Sequence, residues 1–183
     1  MLRDLWSFQG RYRTLHLTWF AFFLSFVVWF NLAPLATTVR ADLGLTLGQI
    51  RTVAICNVAL TIPARVLIGM LLDKYGPRIT YSGILVFSAI PCLMFASAQD
   101  FNQLVISRLL LSIVGAGFVI GIRMVAEWFP PKEIGLAEGI YGGWGNFGSA
   151  FSALTMVALA GFLSFSGGFE LPTGAVLNWR GAI

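Results

Sequence analysis

The sequence predicts an all-α integral membrane protein with five transmembrane helices, and three observations predict it. Of 183 residues, 57% are hydrophobic and only 11% charged, against roughly a quarter charged in soluble domains. The charges gather in short turns between long apolar runs. Each run is long enough to cross the hydrocarbon of a bilayer, which takes ~20 residues in a helix. So continuous an apolar excess is not the core of a large soluble domain.

Residues 1–14 form a polar, basic tail with Arg3, Arg11 and Arg13. The first span follows at 15–38. A basic start ahead of an apolar stretch can imitate a signal peptide, but this run outlasts the roughly 7–15 residues of such a segment, so it reads as a spanning helix. Pro34, near the far end, should kink it or help end it. The second span, 47–72, opens on Thr46-Leu47-Gly48-Gln49, which has capping-box spacing. It holds Pro63 and a single deep charge, Arg65. It stops at Asp73-Lys74-Tyr75-Gly76-Pro77-Arg78, a charged turn with a Gly-Pro breaker. The third span, 79–98, closes at Gln99-Asp100. The fourth, about 101–126, carries Gly115, Gly117 and Gly121, and gives way to Glu127-Trp128-Phe129-Pro130-Pro131-Lys132-Glu133, whose aromatic pair suits a membrane interface. The fifth is about 135–165. Residues 166–183 read as a Gly-rich loop leading to a further element.

The basic residues are unevenly shared between the two sides. The tail and the turns at 73–78 and 127–138 hold Arg3, Arg11, Arg13, Lys74, Arg78 and Lys132, with Arg123 close by. The opposite side has Arg40, Arg51 and Arg180, with Arg108 a few residues into the fourth span. The excess puts the N-terminus in the cytoplasm. Nucleic acid is not an expected partner, because the scattered basic residues form no basic face. Cys56 and Cys92 lie in apolar runs and read as small buried residues, not metal ligands or a disulfide framework. His16 opens the first span and reads as a surface or capping residue, not a proton relay. No cluster of His, Cys and carboxylates has catalytic or metal spacing, so neither an enzyme nor a cofactor is expected.

Two features invite chemistry. Arg65 is a charge in mid-span, where insertion costs a few kcal/mol and such residues face cavities. A structural arginine held by backbone carbonyls is the alternative. No Asp or Glu lies deep in any span to pair with it. A lone buried cation invites an anion, and the planar guanidinium offers paired donors to a flat oxyanion. The second feature is Gly139-Ile140-Tyr141-Gly142-Gly143-Trp144-Gly145-Asn146-Phe147-Gly148, five glycines and one amide inside the fifth span. Gly139 and Gly143, four apart, make a small-residue face for close helix packing. Asn146 either hydrogen-bonds a neighbouring helix or faces a polar cavity and touches a ligand. Arg65 stands eight residues before Asp73, Asn146 eight after Glu138 and Phe118 nine before Glu127. At ~1.5 Å per residue all three lie ~12–14 Å from the charged turns.

These residues carry a resemblance. Gly69, Asp73, Gly76 and Arg78 are spaced as in the loop between the second and third helices of the major facilitator superfamily, where it serves as a cytoplasmic gating element. Arg108 with Gly115 and Gly117 weakly resembles the superfamily's fourth-helix pattern, with Ser112 where that pattern has Gly. The run from Gly142 to Gly148, with Gly143, Gly145 and Asn146, resembles the nitrate signature of the nitrate/nitrite porter family. Arg65 matches that family's second-helix arginine, which binds the substrate anion, and Phe118 its substrate-stacking aromatic; Phe129-Pro130 also fits. The resemblance implies the first five helices of an N-terminal six-helix half, truncated at Ile183, with the missing C-terminal half of the same chain as partner. It implies multi-pass residence in the cell inner (plasma) membrane and alternating-access transport of nitrate, nitrite or both. The glycines from Gly139 to Gly148 would let the fifth helix slide or bend against the other half. Import of an anion against a negative interior costs ~2.3 kcal/mol per charge per 100 mV, so it needs coupling. The lack of deep carboxylates leans towards nitrate/nitrite exchange or a proton site elsewhere. A facilitator for another small anion such as a monocarboxylate, and a non-transporting membrane receptor or subunit, are the alternatives.

Overall fold

The computed structural model describes residues 7–163, 169–170, 176–177 and 179–183. Among these the chain is helical apart from turns and one two-residue antiparallel pair, β1 (Phe169–Glu170) with β2 (Val176–Leu177). The helices are α1 (Gly10–Trp29), α2 (Leu32–Asp42), α3 (Leu47–Ala59), α4 (Thr61–Ala96), α5 (Phe101–Leu111), α6 (Gly117–Trp128) and α7 (Pro131–Leu163), with a 3-10 segment at Ser112–Ala116 between α5 and α6. The end of the fifth span expected at 165, and much of the 166–183 loop, lie outside the described residues.

Four apolar helical segments are long enough to cross a membrane: Gly10–Asp42, Leu47–Ala96, Phe101–Trp128 and Pro131–Phe162. The second has 50 residues, ~75 Å if straight, against a hydrocarbon core of ~30 Å. It is not straight. Gly76 has φ 76° and ψ 166°, a backbone that glycine alone adopts without strain, and Pro77 then starts the returning arm. The reversal brings Thr80 back over Leu71: its hydroxyl donates to the carbonyls of Gly76 at 2.8 Å and Leu71 at 3.3 Å. Four segments therefore make five crossings.

Two further breaks follow from proline geometry. A proline ring displaces the carbonyl four residues upstream and supplies no N–H. Pro34 accordingly sits inside α2, and the break falls upstream of it, at Phe30–Asn31. Pro63 does the same at Leu60, splitting α3 from α4. At the start of α3 the expected capping box is present: Gln49 N–H donates to the Thr46 hydroxyl at 3.2 Å, and Gln49 Oε1 accepts from Thr46 N–H at 2.9 Å. Asp100 caps α5 by accepting from Gln103 N–H at 2.8 Å.

The break between α1 and α2, the break between α3 and α4, and the 3-10 segment share one polar layer. Trp29 Nε1 donates to the Asn57 carbonyl at 2.6 Å, and Asn57 Nδ2 donates to the Trp29 carbonyl at 3.0 Å. Leu60 N–H donates to Ser112 Oγ at 3.1 Å, and Thr61 Oγ1 to the Ser112 carbonyl at 2.9 Å. The layer divides two apolar clusters. One contains Tyr12, Phe22, Phe26, Ile68, Ile120 and Tyr141. The other contains Leu35, Val39, Val53, Phe95, Leu104 and Trp179.

Ion pairs mark the two ends. At one, Arg11 meets Glu133 at 2.9 Å and Arg123 meets Asp73 at 3.0 Å. At the other, Arg180 meets Asp42 at 3.0 Å and also donates to the Ala98 carbonyl at 2.9 Å. The Trp179 indole donates to Asp42 at 2.9 Å while its ring packs on Phe95.

Candidate functional site

Arg65 lies one turn into the first arm of α4, on an exposed face. Its guanidinium carbon is 5.9 Å from the centroid of the Phe118 ring, within the ~6 Å reach of a cation–π contact. Among the described residues no carboxylate pairs with it. Phe118 opens α6 and is half-buried. Its ring lies 5.7 Å from Phe22 of α1 and 6.4 Å from Tyr141 of α7. The structure thus brings two of the three expected binding residues together.

The third, Asn146, stands apart from them. The shared depth read from the sequence counted from Glu138, but α7 begins at Pro131 and Glu138 is already inside it. The α7 residue level with Phe118 is Tyr141, whose hydroxyl reaches the carbonyls of Gly117 at 3.5 Å and Phe118 at 3.4 Å. Asn146 is ~7.5 Å further along the helix at ~1.5 Å per residue. Its neighbour Gly145 packs on Phe22, which in turn lies against Phe118. The Asn146 side chain is exposed, and Nδ2 donates to the Gly142 carbonyl one turn back at 2.7 Å. The bond runs within α7 and not to a neighbouring helix. A carboxamide has two N–H donors and an acceptor oxygen, so one N–H and the oxygen remain for a ligand.

The glycines of α7 divide into two sets. Gly145 lies against the ring of Phe22, and Gly148 lies against the Phe23 carbonyl and Phe26 Cβ, where a side chain would clash. These two let α7 approach α1, with Phe22 stacked on Tyr141 at 4.7 Å. Gly139, Gly142 and Gly143 have nothing within 4 Å of where a Cβ would stand, and Gly69 is equally open. The close-packing role expected of the Gly139–Gly143 face is therefore filled one turn later, by Gly145 and Gly148. The reason is azimuth: at ~100° per residue, Gly145 is turned roughly 160° from Gly143, and Gly148 roughly 180° from Gly139, on a helix with 3.6 residues per turn.

In the hairpin turn, Gly76 supplies the reversal described above. Asp73 pairs with Arg123 of α6, which also meets Glu127 at 2.6 Å. Arg78 is exposed, and the Lys74 ammonium lies 5.1 Å from the Tyr75 ring.

One residue was undervalued in the sequence. Arg108 is 0% exposed. Its guanidinium carbon stands 3.6 Å from the Phe95 ring centroid, and Nη1 donates to Asn57 Oδ1 at 3.5 Å. Among the described residues Nε and Nη2 have no partner. The available signal was spacing: Leu104, Arg108 and Leu111 fall on one helical face, and that face is the buried one.

Comparison with known proteins agrees with this architecture. The profile of the Major Facilitator Superfamily matches residues 18–181. The chain is 64% identical to the nitrate/nitrite transporter NrtP of Picosynechococcus sp. and 62% identical to that of Nostoc punctiforme; both alignments take in all of this chain, and 37% and 35% of those proteins. It is 33% identical to a probable nitrate/nitrite antiporter of Thermus thermophilus, over 93% of this chain and 38% of that one. The chain thus spans between 35% and 38% of the length of these curated relatives. With its five crossings, its hairpin turn at Gly76 and a profile match over almost its whole length, this multi-pass membrane chain belongs to the Major Facilitator Superfamily, and within it is similar to the nitrate/nitrite porters.

Proposed function

We propose that this chain is the N-terminal part of an inner-membrane transporter that moves nitrate, nitrite or both by alternating access. The observation that carries the proposal is an exposed guanidinium without an acid, set beside an aromatic ring: Arg65 over Phe118. Such a pair suits a small planar anion. The guanidinium fork supplies charge and two parallel hydrogen bonds, and the ring covers the flat face of the anion. Asn146 donates its remaining N–H to an oxygen of the anion once the site closes. The names of the similar proteins point the same way.

The open faces of α4 and α7, with Gly139, Gly142 and Gly143, are where the C-terminal half of the longer protein packs. Facilitators of this kind bind substrate near the midplane where two such halves meet. The open glycines allow α7 to slide or bend there, and the turn from Gly69 through Asp73 and Gly76 to Arg78 acts as a gate at the cytoplasmic end. That end is assigned by the excess of Lys and Arg around it. The binding residues described include no carboxylate, which favours exchange of nitrate for nitrite over proton symport within this half.

The test is Arg65→Lys in the complete transporter, assayed for nitrate uptake into cells lacking other nitrate carriers. Lysine keeps the charge and loses the fork, so kcat/KM should fall on the order of 100-fold. Uptake at the wild-type rate and affinity would remove Arg65 from the site. Wild-type uptake inhibited by formate or oxalate but not by nitrate would move the assignment to another small anion.

A further inference from the structure

Arg65 and Phe118 belong to helices that both begin just past a break, and one residue at the start of the 3-10 segment bonds the beginning of α4. Ser112 is 0% exposed. It opens the 3-10 segment that leads into Phe118. Its hydroxyl accepts from Leu60 N–H at 3.1 Å and donates to the Leu109 carbonyl at 2.7 Å, while its carbonyl accepts from Thr61 Oγ1 at 2.9 Å. Leu60 is where Pro63 splits α3 from α4. The first N–H groups of a helix have no carbonyl within it to bond, and Ser112 meets one of them. Thr61 is one turn ahead of Arg65 on the same helix.

We propose that Ser112 is a positioning residue that sets the register of Arg65 against Phe118, an inference that rests on the anion-binding reading of that pair. Apolar packing between the first arm of α4 and the 3-10 segment does not by itself fix their longitudinal register. Inside a bilayer there is little hydrophobic drive between helices, and packing and interhelical hydrogen bonds decide how they sit. The two bonds to Ser112 are directional and act at the end of α4 nearest Arg65. A slip of one residue is ~1.5 Å along the axis. Away from the ring, that displacement carries the guanidinium from 5.9 Å past the ~6 Å limit of useful contact with it. Misplacement on this scale can cost ~100-fold in a binding or catalytic site.

The experiment uses the complete transporter. In Ser112→Ala, the KM for nitrate should rise about tenfold with Vmax within about twofold, the signature of lost binding geometry. Ser112→Thr keeps the hydroxyl and should restore the wild-type KM. In a Phe118→Leu background, Ser112→Ala should add less than about twofold, because the register then has no ring to serve. An unchanged KM in Ser112→Ala, an equal rise in Ser112→Thr, or a full tenfold rise without Phe118 would each overturn the proposal. A second readout does not depend on substrate. Spin labels at Val66 on α4 and Ala126 on α6, both exposed, should show a displaced or broadened distance distribution in Ser112→Ala and the wild-type distribution in Ser112→Thr. Identical distributions in all three proteins would overturn it. If the wild type moves no nitrate, the anion reading of Arg65 and Phe118 fails, while the labels still decide whether Ser112 sets the register. If Ser112→Ala does not reach the membrane, Thr61→Val removes the second bond at constant shape and carries both readouts.

Discussion

Arg65 and Arg108 are the same residue in two regions of one fold. Each has a phenylalanine ring beside it, and among the described residues neither is paired with an acid. Arg108 is 0% exposed, 3.6 Å from the Phe95 centroid, and reaches Asn57 across the polar layer. Arg65 is exposed and 5.9 Å from Phe118. The difference separates two uses of a charge within a membrane protein. Arg108 lies where helix ends already expose polar groups. There its bond to Asn57 helps to link α3 to α5, and the Asn57 amide in turn holds Trp29 of α1. Arg65 lies on an exposed face of α4, and among the described residues no carboxylate pairs with it. One arginine holds the bundle together; the other, on the reading proposed above, binds the anion.

Removing each charge should break the two regions differently, and this is the largest effect expected. Arg108→Ala opens a cavity and strands Asn57 Oδ1, costing about 2–5 kcal/mol in stability. Arg108→Met fills most of the volume and removes a charge whose Nε and Nη2 lack partners. It should cost about 1 kcal/mol or less, because an apolar replacement of a buried charge is often neutral. Arg65→Met should leave stability within about 0.5 kcal/mol and abolish nitrate uptake. Thermal unfolding of the purified complete transporter in detergent, beside uptake in cells, checks all three. If Arg65→Met destabilises more than Arg108→Ala, the division between a structural and a functional arginine fails.

The same two arginines show how much was legible in the sequence. The crossings, their order and the turn at Gly76 could be read because hydropathy, length and Gly-Pro punctuation are local signals. The proximity of Arg65 to Phe118 was suggested by depth counting and is a contact in the structure. The place of Asn146 was not readable, because the count needed the true start of α7. Two consecutive prolines admit a start at Pro131, and the charged stretch after them looked like a turn although Glu133 and Glu138 are helical. The burial of Arg108 was hidden for a different reason. Depth along a helix can be counted, but azimuth depends on which neighbours pack against it, and those contacts are tertiary. The pairing of three helix breaks in one layer is likewise a property of the assembled bundle, though Pro34 and Pro63, which cause two of them, were visible.

The contrast between a packed region and an open one can be sharpened on a single helix. Gly148 and Gly139 both lie on α7, but Gly148 abuts the Phe23 carbonyl and Gly139 has nothing within 4 Å. Gly148→Ala forces a methyl against backbone that cannot turn aside, and should destabilise by about 1–3 kcal/mol. Gly139→Ala places its methyl in open space and improves helix propensity, so stability should hold or rise by up to about 1 kcal/mol. Its transport rate should nonetheless fall if that face meets the other half of the transporter. Unfolding midpoints and uptake rates measured on the same preparations separate the two. Equal loss of stability in both variants would mean that the open face of α7 is packed in the complete protein as tightly as its α1 face.

The smallest effect is expected at a third arginine, which is exposed like Arg65 but has acids beside it. Arg123 meets Asp73 at 3.0 Å and Glu127 at 2.6 Å, with the three side chains between 43% and 70% exposed. Ion pairs in such surroundings are screened by water and salt, and each holds two long side chains in one geometry at an entropic cost. Asp73→Asn also leaves Arg123 its Glu127 partner. The unfolding midpoint of the variant should fall only slightly at low ionic strength, and the difference from wild type should vanish at about 1 M salt, where screening acts over ~3 Å. Among the described residues Arg65 has no such acid to lose, which suits the anion-binding role proposed for it, whereas the positive charge of Arg123 is already answered. A large, salt-independent loss of stability in Asp73→Asn would show that the hairpin turn is buried in the complete transporter, and Arg123 would then join Arg108 as a residue that holds the fold.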